Sequence, residues 1–256
     1  MEIIDNPPAN FDAEAQLDAL ARRYQSAGGA GLQVLNLIGG QAESLLDKLP
    51  DGIRTRLGEQ TETALNIALR AASTSRRAVP DQPSWINTAL TAAMGAAGGM
   101  GGLPSALAEL PVTTTFLLRA IQGIAAEHGF DPEEEGVKFD CIQVFAAAGP
   151  LDTDDGSDLA FISTRLLLRG QTIQTLIARV APRLSVVLGQ KLAAQTLPVL
   201  GAVAGAATNY AYTSYYQEMA HVHFGLRRLA ITTDRDFADL VEDLRERIAK
   251  PVVKRA

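Results

Sequence analysis

One cysteine in 256 residues, Cys141, leaves no internal disulfide to form, so the chain fits a reducing compartment. Aromatic residues are scarce as well: eight Phe, five Tyr and a single Trp. Aromatic and β-branched side chains are the usual strand builders, whereas alanine, the best helix former, occurs 41 times. The expectation is an all-α, multi-helix bundle. Positive charge is in short supply too. The 23 Lys and Arg stand against 29 Asp and Glu, a formal charge of −6. That argues against a sequence-blind nucleic-acid binder, which has to neutralise phosphates. Mean hydropathy is only +0.06, too low for a polytopic transporter. Apolar residues at 47% exclude a disordered chain. The opening MEIIDNPPANFDAE has no basic region followed by an apolar stretch, so no secretory signal is read and a cytoplasmic location is expected.

Along the chain, Pro7 and Pro8 mark a loose arm over 1–11. An N-terminal helical section is expected over 12–78. Leu17, Leu20, Ala21 and Tyr24 share one helical face, glycines 28, 29 and 31 interrupt it, and an apolar run from Leu32 to Leu49 ends at Pro50. Ile53, Leu57, Ala64, Ile67, Leu69 and Ala71 predict a longer helix closing at the polar stretch Ser73–Arg77. The breaker-rich segment 73–84 is the candidate hinge before a helical core over 84–250 and a tail at 251–256. Within that core a helix carrying Val112, Phe116, Ile121 and Ile124 ends near Gly129. Asp131 and Pro132 open the next, with Glu133, Glu134 and Glu135 in its first turn, and it is expected to run to Gly149-Pro150. After an acidic loop at Asp152–Asp158, Leu159, Ile162, Leu166, Ile173, Leu176 and Val180 form a helical stripe. Thr233 and Asp236 read as a capping pair for a final helix bearing Phe237, Leu240, Val241, Leu244 and Ile248.

Two windows lack charge altogether. Residues 82–108 and 192–217 contain no Asp, Glu, Lys, Arg or His. Each is long enough to span a bilayer, which takes about 20 apolar residues, but Ala, Gly, Thr, Asn and Gln dominate them. Gly95, Gly98, Gly99, Gly101 and Gly102 crowd into eight positions. In a helix each costs about 0.5–1 kcal/mol relative to alanine, which close backbone approach would offset. The spacings Gly95/Gly99, Gly98/Gly102 and Gly201/Gly205 are the small-xxx-small pattern of tightly packed helices. The two segments are therefore expected to pack backbone to backbone, with half-buried docking on a membrane as the sharper alternative.

Reactive constellations are missing. Glu218, His221 and His223 superficially resemble a metal site, but on a helix His223 points away from the other two, and two ligands on one face do not hold a metal. There is no G-x-S-x-G elbow and no P-loop lysine. Cys141, among Phe139, Ile142, Val144 and Phe145, reads as a small buried hydrophobe. No catalytic, cofactor or metal residue is assigned. The basic C-terminal residues Arg227, Arg228, Arg245, Arg247, Lys250, Lys254 and Arg255 alternate with acids and read as a solvated face rather than a membrane anchor.

The strings GMGGLPSALAELPVTTTFLLRAIQ (99–122), DCIQVFA (140–146), QKLAAQTLPVLGAVAGAATN (190–209) and QEMAHVHFGLRRL (217–229) resemble the bacterial EcsC family, over about residues 30–230. The resemblance implies no established activity or cofactor. It implies a genomic neighbourhood beside an ABC-type exporter, and hence a membrane surface or membrane protein as partner. A peptidase label carried by some relatives has no support in these residues. The matching positions are Gly99, Gly102, Glu109, Pro111, Lys191, Pro198, Gly201, Gly205, Asn209 and Arg227. Most are packing or turn residues. Glu109, Lys191 and Asn209 interrupt apolar segments, and burial would demand partners; a Glu109–Lys191 bridge is expected. The leading expectation is a non-enzymatic protein acting by association, peripheral to the inner membrane. A carrier with an apolar cavity for a lipid or small molecule, an uncharacterised hydrolase, and homo-oligomers built on the small-xxx-small faces are the alternatives.

Overall fold

The computed structural model describes residues 11–29, 43–78, 80–100, 102–147, 172–195 and 201–249. Residues 1–10 of the expected arm, Leu32 and Leu35 of the apolar run, the acidic loop, Leu159, Ile162 and Leu166 of the helical stripe, Pro198 and the C-terminal tail lie outside them. Among the described residues the chain is all helical, with no strand. Helix α1 spans Ala13–Ala27, and Asp12 caps it by accepting from the Glu14 and Ala15 amides. A 3₁₀ turn at Glu43–Lys48 and the single turn α2, Asp51–Arg54, lead into α3, Leu57–Ala78. Then come α4 (Ser84–Met100), α5 (Gly102–Glu127), α6 (Glu135–Gln143) with a 3₁₀ turn after it, α7 (Ile173–Gln195), α8 (Gly201–Thr233) and α9 (Phe237–Ala249).

Several expected boundaries move. The polar stretch Ser73–Arg77 lies inside α3, because none of those residues breaks a helix, and the break falls at Pro80 and Pro83, which can. Arg76 pairs with Asp81 at 2.7 Å and Arg119 donates to the Pro80 carbonyl at 2.9 Å, which ties the expected hinge to its surroundings. Helix α6 begins at Glu135 rather than Asp131. Asp131 instead forms a turn, its carboxylate accepting from the Glu133 amide, and regular α-helix ends at Gln143. Asp236 alone caps α9, accepting from the Ala238 amide; Thr233 closes α8 and bonds back to the Leu229 carbonyl. The C-terminal arginines are matched to acids: Arg245 to Glu242, Arg235 to Asp243, and Arg247 to Glu14 and Asp18 of α1.

Helix α8, 33 residues long, is the axis of the bundle, with α1, α4, α5, α7 and α9 laid against it. One hydrophobic cluster joins Leu17 of α1, Leu65 of α3, Leu118 and Ile121 of α5, Phe145, Leu184 of α7, Tyr212 and Phe224 of α8 and Leu240 of α9. Cys141 is fully buried within it, and burial pushes its thiol far above the ordinary range. No residue of α4 belongs to that cluster. Yet α4 makes the most extensive contact with α8 of any helix pair. No described helix is long and apolar enough to cross a membrane.

Candidate functional site

The reason α4 stands apart lies in which of its faces is inside. Its buried described positions are Asn87, Thr88, Thr91, Gly95 and Gly98. Its exposed positions are Trp85, Ala89, Leu90, Ala93, Ala97 and Met100. A surface helix of a water-soluble protein ordinarily shows the opposite pattern. Every outward residue is apolar, and every inward one is polar or lacks a side chain.

The inward face is satisfied by α8, running antiparallel to it. Gln217 donates from Nε2 to the Ser84 carbonyl at 3.0 Å and accepts at Oε1 from the Thr88 hydroxyl at 3.0 Å. Thr91 and Thr213 share a hydroxyl–hydroxyl bond of 2.7 Å, and Asn209 Nδ2 donates to the Thr91 carbonyl at 2.7 Å. One turn on, a Cβ placed on Gly95 would stand 2.1 Å from the Gly205 carbonyl oxygen and 2.7 Å from the Asn209 side chain. At Gly95 and Gly205 the two backbones touch, as the expected close packing of the two segments requires. Gly205, Asn209, Thr213 and Gln217 recur every four residues, so they form one straight ridge on α8. Small residues and inter-helix hydrogen bonds in place of apolar side chains are the packing found between helices in lipid.

The ridge ends on charge. Asn209 Nδ2 also donates to Glu109 Oε1 at 2.7 Å, and the same oxygen accepts from Thr113 at 2.7 Å and from Lys191 Nζ at 3.1 Å. The expected bridge is present, and it joins α5, α7 and α8. The side chains of Lys191 and Glu109 are 1% and 8% exposed. Burial alone would raise the Glu109 carboxyl, but the Lys191 charge and the Asn209 and Thr113 donors hold it below the usual carboxylate range. Burial draws the Lys191 ammonium down, with Glu109 opposing.

Of the remaining sequence-predicted positions, Gly99 lies near the end of α4, Gly102 opens α5, Gly201 opens α8 and Pro111 sits inside α5. Arg227 is elsewhere. It donates to Asp140 at 2.6 Å and covers the Phe130 ring at 4.1 Å, with His223 3.7 Å from the same fully buried carboxylate. Trp85, Thr88, Thr91, Thr213 and Gln217 carry no chemical motif, and only the four-residue spacing on α8 marks any of them in the sequence. Val112 of α5 and Val203 and Tyr210 of α8 are exposed as well. An open cleft of about 360 Å³ between α3 and α5 has an apolar floor of Leu107, Leu110 and Pro111 and a polar rim including Arg56, Glu59 and Gln60.

His221 and His223 diverge, as their spacing requires. While His223 faces Asp140, His221 Nδ1 meets His128 Nε2 at 3.2 Å. No group of three His, Cys, Asp or Glu among the described residues is placed to hold a metal. A protein-family model described as the EcsC protein family matches residues 81–229, which take in the α4–α8 seam and the Glu109–Lys191 centre. Curated proteins and solved structures give no match.

Proposed function

The chain belongs to the EcsC protein family, and from that premise we propose that it works by association, docking on the cytoplasmic face of a membrane through the outer face of α4. The observation that carries this reading is the reversal of polarity across α4. Its Thr88 and Thr91 hydroxyls are spent on α8 and its Asn87 amide on the Gln82 carbonyl, and its tryptophan, leucine and methionine face outward. Trp85 is 71% exposed, Met100 74% and Leu90 45%. Full burial of such a side chain is worth about 1.5–3 kcal/mol. Scaled by exposure, the three offer roughly 3–6 kcal/mol. That suits reversible residence at the headgroup–acyl boundary, on the scale of a single acyl anchor, and falls far short of an integral span. Tryptophan is favoured at that boundary because its ring is apolar and its N–H polar. With no charge on the face, binding is expected on zwitterionic vesicles and is expected to change little with salt.

Trp85 is the chain's sole tryptophan, so its fluorescence reports on this face alone. Phosphatidylcholine vesicles are expected to shift its emission to the blue, and brominated acyl chains to quench it. Ala93→Lys, on the outer face, should abolish both effects without unfolding the protein. Emission unmoved by vesicles, with all the protein left unfloated, would overturn the proposal.

A further inference from the structure

The corner where α1, the end of α5 and α8 meet is not used by the docking face. His128, next to last in the turn that closes α5, and His221 of α8 hold each other at 3.2 Å between ring nitrogens. Glu218, one turn before His221, takes Arg23 of α1 at 2.9 Å. Arg228 folds back over the following turn, its Nη1 3.3 Å from where a Cβ on Gly129 would stand. Gly129 has φ +82°, and the guanidinium lies where its missing side chain would crowd it. The Arg228 guanidinium has no ion-pair or hydrogen-bond partner among the described residues, and the residue is exposed. The arginines whose charge reaches the rings are Arg23 of α1, which acts on both, and Arg228 of α8, which acts on His128; Arg227 of α8 is taken by Asp140, and Glu14 and Asp18 of α1 by Arg247. Glu127 and Asp131, close in sequence, face solvent. The side-chain charges that act on the two rings from outside the pair, Arg23 and Arg228, are both positive.

We propose that this corner binds a phosphoryl oxyanion, held by the Arg228 and Arg23 guanidiniums and an imidazole N–H of the His128–His221 pair. A planar guanidinium fork matches phosphate oxygens in two directions at once, and imidazole supplies a third. In the unliganded protein both imidazoles are depressed to about 4, by burial first and then by the neighbouring positive charges, Arg23 among them in each case. A bound dianion reverses that field, so one ring takes up a proton as the anion enters and affinity rises as pH falls. Gln217, the residue that bonds Ser84 at the start of α4, lies one helical turn before His221. The oxyanion can therefore come from a lipid headgroup beside the docking face or from a soluble phosphate. The chemistry is the same for both, and the site stands whether or not α4 meets a membrane.

Ring NMR of the three histidines tests this, with fully buried His223 as the internal control. Sulfate, a dianion throughout the range, is titrated alongside inorganic phosphate and a monomeric short-chain phosphatidic acid. His128 and His221 are expected to move along one saturating curve while His223 stays. Sulfate affinity is expected to gain about tenfold from pH 8 to pH 5, the size of one proton linked over about one pH unit. Arg228→Gln should weaken binding about tenfold through loss of a charge-assisted pair, and Glu218→Gln, which frees Arg23, should strengthen it. Phosphatidic acid binding well above phosphate assigns the site to a lipid; equal binding assigns it to a soluble phosphate. Non-saturating shifts, affinity independent of pH, or Arg228→Gln and Glu218→Gln both binding like the parent would each overturn the proposal.

Discussion

Removing the charge from Glu109 strands a lysine inside the bundle. Lys191 is 1% exposed, and Glu109 is its one acceptor among the described residues. In Glu109→Gln the ammonium stays where water does not reach, and losing one member of a buried pair costs about 3–5 kcal/mol. Lys191→Met is expected to cost less, about 2–3 kcal/mol, because the carboxylate left behind keeps the Asn209 and Thr113 donors at 2.7 Å. The double replacement removes both desolvation penalties, and its cost is expected to fall to about 1 kcal/mol. The cycle should therefore return a coupling of at least about 4 kcal/mol, within the range measured for close buried pairs. Urea unfolding followed by far-ultraviolet circular dichroism reads all three numbers. Acid adds a signature. Since the folded Glu109 carboxyl is held below the usual carboxylate range by Lys191, Asn209 and Thr113 against its burial, its contribution is full above the unfolded value and is lost as pH falls through the folded one. The penalty of Glu109→Gln should shrink over that window. A single replacement costing less than about 1 kcal/mol, or a double that costs the sum of its parts, would refute the view that this pair is mutually dependent.

Gly95→Ala should lose about 2–3 kcal/mol, lowering the melting temperature by several degrees, because the new methyl meets the Gly205 backbone, which cannot turn aside. Gly189→Ala is the matched control. Its methyl would press on the Leu46 and Leu57 side-chain tips, at 2.5 and 2.9 Å, which can move, and the gain in helix propensity of about 1 kcal/mol offsets the crowding; similar losses at both sites would contradict this assignment. Stability should also fall as pH drops from 6.5 towards 4, since His128 and His221 ionise freely when unfolded but are held near 4 in the fold. A His128→Gln/His221→Gln variant should flatten that slope in a pH series of denaturant midpoints, and a slope left unchanged would count against it.

Helix content, the α4–α8 pairing and the Glu109–Lys191 bridge were all legible in the sequence, for one reason. Two windows without charge, glycines four apart and a single lysine among the four charges at their edges admit few arrangements that leave nothing polar unpaired. What could not be read was which face of α4 points inward. Thr88 and Thr91 look like ordinary surface positions until Gln217 and Thr213, more than a hundred residues away, are placed opposite them. The same holds for the histidine pair. His221 and His223 can be told apart from helical spacing, but nothing local says that His128 arrives from the end of α5. Helix ends moved wherever a turn signal was taken for a cap, as at Asp131 and Thr233, since short-range side-chain bonds serve both purposes.

The unequal demands on the two sides of α4 set what its sequence can become. Inside, at Thr91 and Gly95, a single added carbon meets rigid backbone or removes a bond that its partner cannot remake. Outside, from Trp85 to Met100, any greasy residue serves equally well. Among descendants of this chain, drift along α4 should therefore be striped, frozen on one side and fluid in size on the other, and a charge fixed on the fluid side would mark a lineage without the proposed docking.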